Sequence, residues 1–358
     1  MAQTTAGVQT RNEILSQPRC WKECFQALDE QGQLQRVGAD WTPPPEWLFI
    51  GCGSSYYIAL AAAASWTALT GELARAVPAS ELLLFPAQTL PVSHPTQPVL
   101  ISRSGHTSEV VKVAEWLELQ QNLRTLAISC ATHQPLEEIC ALTLYLLPAD
   151  EQSLVMTRSF TSMLLGLQAL AAERSGRRPW AEALRLLPAE TQPWLESLAE
   201  RLEEFVRARQ FANYVFLGQG PLFGIASEGT LKVTEMSCSS AQCFHTLEYR
   251  HGPKASLSPQ TLVTFLLSES GYEAEREVLD EAKSLGGTTL LVTNHADAAT
   301  RGAADFLVEL NLTVPEYARL AAYALPVQLL GLATGLKKGF DPDRPRNLSR
   351  AVILNTSG

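Results

Sequence analysis

The chain has 358 residues, 46% hydrophobic and 18% charged, with a formal net charge of −9. That is enough apolar side chain for two domains of ordinary size, and an acid excess without any Lys/Arg run speaks against a nucleic-acid binder. Seven scattered cysteines without a C-x-x-C pair speak against a disulfide scaffold or a zinc site and fit a reducing cytoplasm.

The polar stretch from Met1 to Gln9 has no apolar h-region, so no signal peptide is expected. Residues 1–45 read as an N-terminal helical segment. A first strand and turn follow in Leu48-Phe-Ile-Gly-Cys-Gly-Ser-Ser-Tyr-Tyr-Ile-Ala59. The Ala-rich run Ile58 to Trp66 is too short for a bilayer, which takes about 20 apolar residues, so no membrane partner is expected. The run Pro98-Val-Leu-Ile-Ser102 is continuously apolar, as suits a strand buried on both faces of a parallel sheet. A helix is expected from Ser108 to Gln121. Thr157 to Arg209 carries leucines at helical spacing, punctuated by Pro179, Pro188 and Pro193. A further helix is expected from Glu273 to Leu285.

These elements repeat. Leu48 to Ala59 resembles Val215-Phe-Leu-Gly-Gln-Gly-Pro-Leu-Phe-Gly-Ile-Ala226, and Ser102-Arg-Ser-Gly105 matches Ser268-Glu-Ser-Gly271. Thr125 to Ser129 matches Thr289 to Thr293, and Leu142 to Leu146 matches Phe306 to Leu310. The offsets are 167, 166, 164 and 164 residues, too constant to arise by chance. Each half reads strand, helix, strand, helix, strand, connection, strand. The fold class is α/β, with two tandem flavodoxin-like three-layer αβα sandwiches built on parallel sheets. The domains run 46–195 and 196–345, followed by a tail, 346–358.

In open parallel sheets ligands bind at the carboxyl ends of the strands. Here those ends are Gly51-Cys-Gly-Ser-Ser55 and Ser102-Arg-Ser-Gly-His-Thr107. Hydroxyls and backbone N–H groups at a helix start can cradle a phosphate without a cationic side chain; the same serines and threonine can equally cap the helix. Ser55 at the neighbouring strand end adds weight to the phosphate. The second half lacks hydroxyls at the matching Gly218-Gln-Gly-Pro-Leu222. Its Ser268–Gly271 turn therefore reads as mostly structural, leaving one phosphate site, in the first half.

Glu228, Lys232 and Glu235 share one helix face at i, i+4 and i+7. An exposed Glu–Lys pair is the ordinary account of such spacing. Beside a cleft, the same carboxylate could move a proton between adjacent carbons while the lysine keeps it ionised. His251, before Gly252 and Pro253, sits on a restricted loop and could open a sugar ring by proton transfer. His94, His106, His133, His245 and His295 read as ordinary hydrogen-bonding residues. No metal-ligand spacing, Walker loop or complete dinucleotide fingerprint is present, so no cofactor or metal is expected.

Taken in order, these motifs resemble the double-SIS (sugar isomerase) family, the isomerase portion of glucosamine-6-phosphate synthase and its stand-alone relatives. The resemblance runs from Glu13-Ile-Leu-Ser-Gln-Pro18 through both turns, Glu151 to Phe160, Glu228 to Glu235 and His251-Gly-Pro253. It continues to Leu325-Pro-Val-Gln-Leu-Leu330 and Asp341-Pro-Asp-Arg-Pro-Arg-Asn-Leu348. It implies that Ser55, Ser102, Ser104 and Thr107 bind the sugar phosphate, with Arg103 contributing backbone. Gly53, Ser54, Thr157 and Arg350 would complete the pocket. Glu235 would shuttle the proton between C1 and C2, supported by Lys232 and Glu228. His251 would come from the partner of a homodimer. Two departures bear on the reaction. Arg350 stands where the synthases carry a Schiff-base lysine, and arginine does not usefully lose its proton. No glutaminase part precedes the isomerase part in this sequence. The expected activity is an aldose–ketose isomerase or deaminase of hexose or amino-hexose 6-phosphates, with glucosamine 6-phosphate going to fructose 6-phosphate and ammonia. A fructosamine-6-phosphate deglycase and a non-catalytic phosphosugar sensor are the alternatives. Arg350 either contacts substrate or anchors the tail.

Overall fold

A computed structural model describes residues 6–39, 46–90 and 95–354; His94 and the first five residues lie outside them. Among the described residues there are two sheets of five parallel strands. The first holds β1 (Glu46–Gly51), β2 (Ala74–Pro78), β3 (Thr96–Ile101), β4 (Leu126–Ser129) and β5 (Leu142–Tyr145), in the order β2-β1-β3-β4-β5. The second holds β6 (Asn213–Gly218), β7 (Ser240–Phe244), β8 (Thr261–Leu266), β9 (Thr288–Thr293) and β10 (Phe306–Glu309), in the order β7-β6-β8-β9-β10. The order is the same in both, and it reverses between β1 and β3 and between β6 and β8. Those are the switch points where such sheets bind ligands.

Alternation along the strands builds three layers in each half. Leu48, Ile50, Leu100 and Ala127 pack with Leu82, Val110, Val113 and Leu136, from helices on one face of the first sheet. Trp47 and Phe49 point the other way, onto Trp66 of helix Ser54–Thr70, at ring-centroid distances of 4.5 and 5.4 Å. In the second sheet Val215, Leu217, Val263 and Phe265 meet Val278, Leu279 and Ala282 of helix Tyr272–Ser284. Phe216 faces helix Leu222–Ser237 at Gly229.

The described residues form two compact units. One takes 19–152, 158–185 and 348–354 and carries the first sheet; the other takes 6–18, 153–157 and 186–347 and carries the second. Three helices, Val8–Leu15, Gln17–Glu30 and Gln33–Ala39, precede β1. Segment Glu316–Lys337 is the one stretch among the described residues long and apolar enough to cross a membrane, and it is buried inside its unit.

Two sequence expectations are corrected. Each half has five strands, where the repeat indicated four. The added strands, β2 and β7, are only partly buried, and Arg75, Ser240 and Gln242 break up the apolar run that would have marked them. Pro188 and Pro193 do not end a helix. They lie inside Arg178–Arg207, whose buried Leu184, Leu187, Leu195, Leu198 and Leu202 hold the helix together although each interior proline costs about 3 kcal/mol. Pro179, by contrast, sits where that helix begins.

Candidate active site

The repeated Gly-x-Gly has the same cause in both halves. A Cβ on Gly51 would lie 2.5 Å from the Ser55 carbonyl carbon, and one on Gly218 would lie 2.4 Å from the Leu222 oxygen. The first glycine therefore lets the helix start close against the strand end. The second, Gly53 (φ 55°) or Gly220 (φ 54°), takes the left-handed turn into the helix. In the first half this buries Ser54 and Ser55 in the opening turn of helix Ser54–Thr70.

After β3 the chain turns through Ser102, Arg103, Ser104 and Gly105 into helix Ser108–Glu115, with Thr107 as its N-cap residue. Ser102, Arg103 and Ser104 are buried. Gly105 N–H donates to Ser102 Oγ (3.1 Å) and His106 N–H to Ser104 Oγ (3.3 Å). Gly105 has φ 66°, and a Cβ there would stand 1.8 Å from Gln134 Oε1. The turn thus brings hydroxyls and helix-start amides together at the strand end, groups of the kind that can receive an anion.

Arg103 does not spend its charge on that array. Its guanidinium, 4% exposed, pairs with the fully buried Glu151 at 3.4 Å and donates to the Arg350 carbonyl at 3.2 Å. Its own carbonyl accepts from Cys130 N–H (3.1 Å) and Ser129 Oγ (3.3 Å). Glu151 also accepts from Ser159 Oγ. Arg350 donates to the Glu151 carbonyl and pairs with Asp150. The tail continues along the helix start, where Ser108 N–H donates to Val352 O (3.1 Å) and Leu354 N–H to Ser108 Oγ (3.0 Å). In this geometry Arg350 anchors the tail.

In the second unit, helix Leu222–Ser237 carries the acid–base ladder. Lys232 and Glu228 are fully buried. Lys232 Nζ lies 3.3 Å from Glu228 Oε1 and 2.5 Å from Glu235 Oε2. Burial pushes the ammonium pKa down, but the Glu228 and Glu235 carboxylates outweigh it and hold the pKa above its ordinary value. This is no solvated surface pair. The helix is fixed by close approach of Leu320–Lys337, where Cβ atoms on Gly331 and Gly335 would lie 2.9 and 2.3 Å from the Lys232 and Met236 carbonyl oxygens. Glu235 lines a cavity of about 180 Å³ with Arg344 and Arg346, two residues that sequence reasoning left without a role.

His251 is exposed, on a loop strapped to helix Tyr272–Ser284. Arg250 pairs with Glu277 (3.2 Å) and Glu281 (2.8 Å), and Lys254 pairs with Glu281 (3.0 Å). Thr157 is buried, its carbonyl accepting from Gln328 Nε2 (3.1 Å). The structure thus gathers Gly53, Ser54, Ser55, Ser102, Arg103, Ser104, Thr107 and Arg350 in one unit. Glu228, Lys232, Glu235, Thr157 and His251 belong to the other.

The matching turn of the second half differs in what its donors meet. Gly271 N–H donates to Ser268 Oγ (2.9 Å), repeating the first turn. Glu316 takes Glu269 N–H (2.6 Å), Ser270 N–H (3.3 Å) and Ser270 Oγ (2.7 Å). Glu275 takes Ser268 N–H (3.1 Å) and Ser268 Oγ. Burial raises the Glu275 pKa, and the Ser268 bonds offset this only in part. Sequence reasoning missed Glu316, although the 164-residue offset sets it against the uncharged Gln152.

The SIS domain family profile matches residues 45–173 and 190–332. Glutamine–fructose-6-phosphate aminotransferase [isomerizing] of Treponema pallidum is 30% identical over 338 residues, which take in 85% of this chain and 51% of that protein. The chain therefore spans about half the length of the curated relatives it matches. The crystal structure of glucosamine-6-phosphate deaminase from Thermotoga maritima is 29% identical, with a TM-score of 0.78 over 97% of this chain and 100% of that one. Tagatose-6-phosphate ketose/aldose isomerase from Escherichia coli shares the fold, with a TM-score of 0.85 over 97% and 96% at 22% identity.

Proposed function

Because the chain belongs to the SIS domain family, with two SIS segments, we propose that it is a phosphosugar enzyme that isomerises or deaminates hexose or amino-hexose 6-phosphates. Its favoured substrate is glucosamine 6-phosphate. The observation that carries the chemistry is the buried Lys232, clamped between Glu228 and Glu235. A carboxylate that lines a cavity and is paired with a buried ammonium is equipped to take a carbon-bound proton. The likeness to a glucosamine-6-phosphate deaminase over the full length of that chain supports the substrate class.

In this reading Ser55, Ser102, Ser104 and Thr107 bind the phosphate, and Glu228, Lys232 and Glu235 are the acid–base groups. Ring opening exposes the C1 aldehyde, assisted by His251 of the partner subunit in a homodimer. Glu235 takes the C2 proton, giving an enolamine, and returns a proton to C1. This leaves a C2 imine. Water adds at C2, and the C–N bond breaks to give fructose 6-phosphate and ammonia. With a hydroxyl in place of the amine, the same proton transfer is a plain aldose–ketose isomerisation.

The test is proton–deuterium exchange at C1 and C2, with ammonia release, in deuterated buffer. Glu235→Gln should slow both by roughly 10²–10⁴, the usual worth of a positioned general base, while substrate still binds. No exchange and no ammonia from any hexose or amino-hexose 6-phosphate would sink the reading, and release of a substituted amine from fructosamine 6-phosphates would redirect it to a deglycase. Mixing inactive His251→Ala and Glu235→Gln proteins should restore activity if the site is shared between subunits.

A further inference from the structure

The turn after β8 has the form of an anion cradle, and the chain fills it with its own side chain. Amides of Glu269 and Ser270 and the Ser270 hydroxyl converge on one carboxylate, Glu316, at 2.6 to 3.3 Å. Three donors from one turn onto one anionic group is the pattern expected for a bound phosphate oxygen pair. The turn opens onto a cavity of about 250 Å³ at the ends of β6 and β8, lined by Gln219, Gly220, Ser268, Ser270, Tyr317 and Glu316 itself. Gln219 Oε1 is buried there without a hydrogen-bond partner, so the cavity wall holds an acceptor that a ligand hydroxyl could satisfy. The cavity occupies, in the second half, the switch-point position that the first half uses for its serine turn.

We propose that Glu316 is the built-in ligand of a second, latent phosphosugar cradle, and that it limits each chain to one phosphosugar. A carboxylate seated on these three donors repels a phosphate by like charge and takes the hydrogen bonds they could give it. Glu316 is thus a specificity-determining residue of the fold, acting by exclusion. This rests on the reading of the first cradle as the phosphosugar site.

The experiment is titration calorimetry of the full chain with glucosamine 6-phosphate, and separately with inorganic phosphate, on the unsubstituted protein and Glu316→Ser. The expected result is one site per chain before the substitution and two after it. Ser104→Ala should weaken the first site about tenfold in both proteins and leave the gained site in Glu316→Ser unchanged. A gain that persists while the original protein binds nothing would sink the first-cradle reading and spare the second. One site in both proteins, or two in the unsubstituted chain, overturns the proposal. Should Glu316→Ser fail to fold, Glu316→Ala also takes the carboxylate off the donors. It must then bind inorganic phosphate at a second site, and its failure to do so overturns the proposal equally.

Discussion

Gly105 and Gly271 close the same turn in two copies of one fold, and each donates its amide to the serine three residues back, at 3.1 and 2.9 Å. Around that shared bond the two halves diverge. In the first, His106 N–H meets a serine hydroxyl, and the charged turn residue, Arg103, is drawn away to Glu151. In the second the amides meet carboxylates, and the charged turn residue, Glu269, pairs with Arg319. The signs of the pair are exchanged. The first helices diverge in the opposite sense. Helix Leu222–Ser237 carries Glu228, Lys232 and Glu235, whereas the 167-residue offset sets them against Ala61, Ser65 and Ala68 of helix Ser54–Thr70. The lesson is that one scaffold can be differentiated by a few side chains, with hydroxyls at one turn and carboxylates at its twin, and in the proposed function that difference divides anion binding from proton transfer.

The sharpest way to break that comparison is at the helices. Lys232→Met strands Glu228 in the interior and should cost about 3–5 kcal/mol in denaturant unfolding, the usual penalty for breaking a buried pair. Its counterpart, Ser65→Ala, loses a hydroxyl bonded to the Ala61 carbonyl and should cost about 1 kcal/mol. The pair also differs in pH response. The folded pKa of Lys232 lies above its free value of 10.5, so its contribution is complete below that pH and is lost as pH climbs through the folded pKa. Lys232→Met should lack that alkaline loss, which thermal melts across pH 9 to 12 would register at roughly one-unit steps.

Next come the twin glycines. Gly105→Ala forces a side chain to φ 66° and into Gln134. It should cost about 1–3 kcal/mol and abolish phosphosugar binding. At Gly271, φ is −109°, and the added Cβ meets two side-chain ends, the Glu275 carboxylate and Ser268 Oγ, so the loss should be smaller and substrate binding retained. Equal losses would mean that the two turns are held in the same way. The mildest test uses the serines. Ser104→Ala should weaken sugar-phosphate binding about tenfold, the worth of one hydrogen bond to a charged acceptor, while Ser270→Ala leaves it unchanged. An equal effect from Ser270→Ala would mean that the second turn binds substrate as well.

Much of this division can be read from the residues. The repeat offsets expose β1, β3 and β4 with their second-half counterparts, because strands buried on both faces are apolar nearly throughout, and they also pick out β5 and β10, edge strands whose runs stay mostly apolar. β2 and β7 escape that logic, since an edge strand with Arg75 or Gln242 carries no such signature. The Glu228, Lys232 and Glu235 face is legible as a face but not as a buried one. Its burial depends on Gly331 and Gly335, about a hundred residues further along the chain. The serine turn of the first half is likewise legible, whereas the filling of the second needs Glu316 to return from 46 residues away. Long-range pairing of polar groups follows no local period, and the prolines of Arg178–Arg207 show packing overruling a local signal outright.

The glycine crossing has a consequence for motion. Where helix Leu320–Lys337 lies on the carbonyls of Lys232 and Met236, no side chain stands between the two backbones to rotate aside. The helices can therefore part only as whole bodies, and the amide hydrogens of residues 228–236 should exchange with solvent only in the unit's largest openings. Under the proposed function, the group that moves the proton is thus mounted on the part of its unit expected to be slowest to breathe.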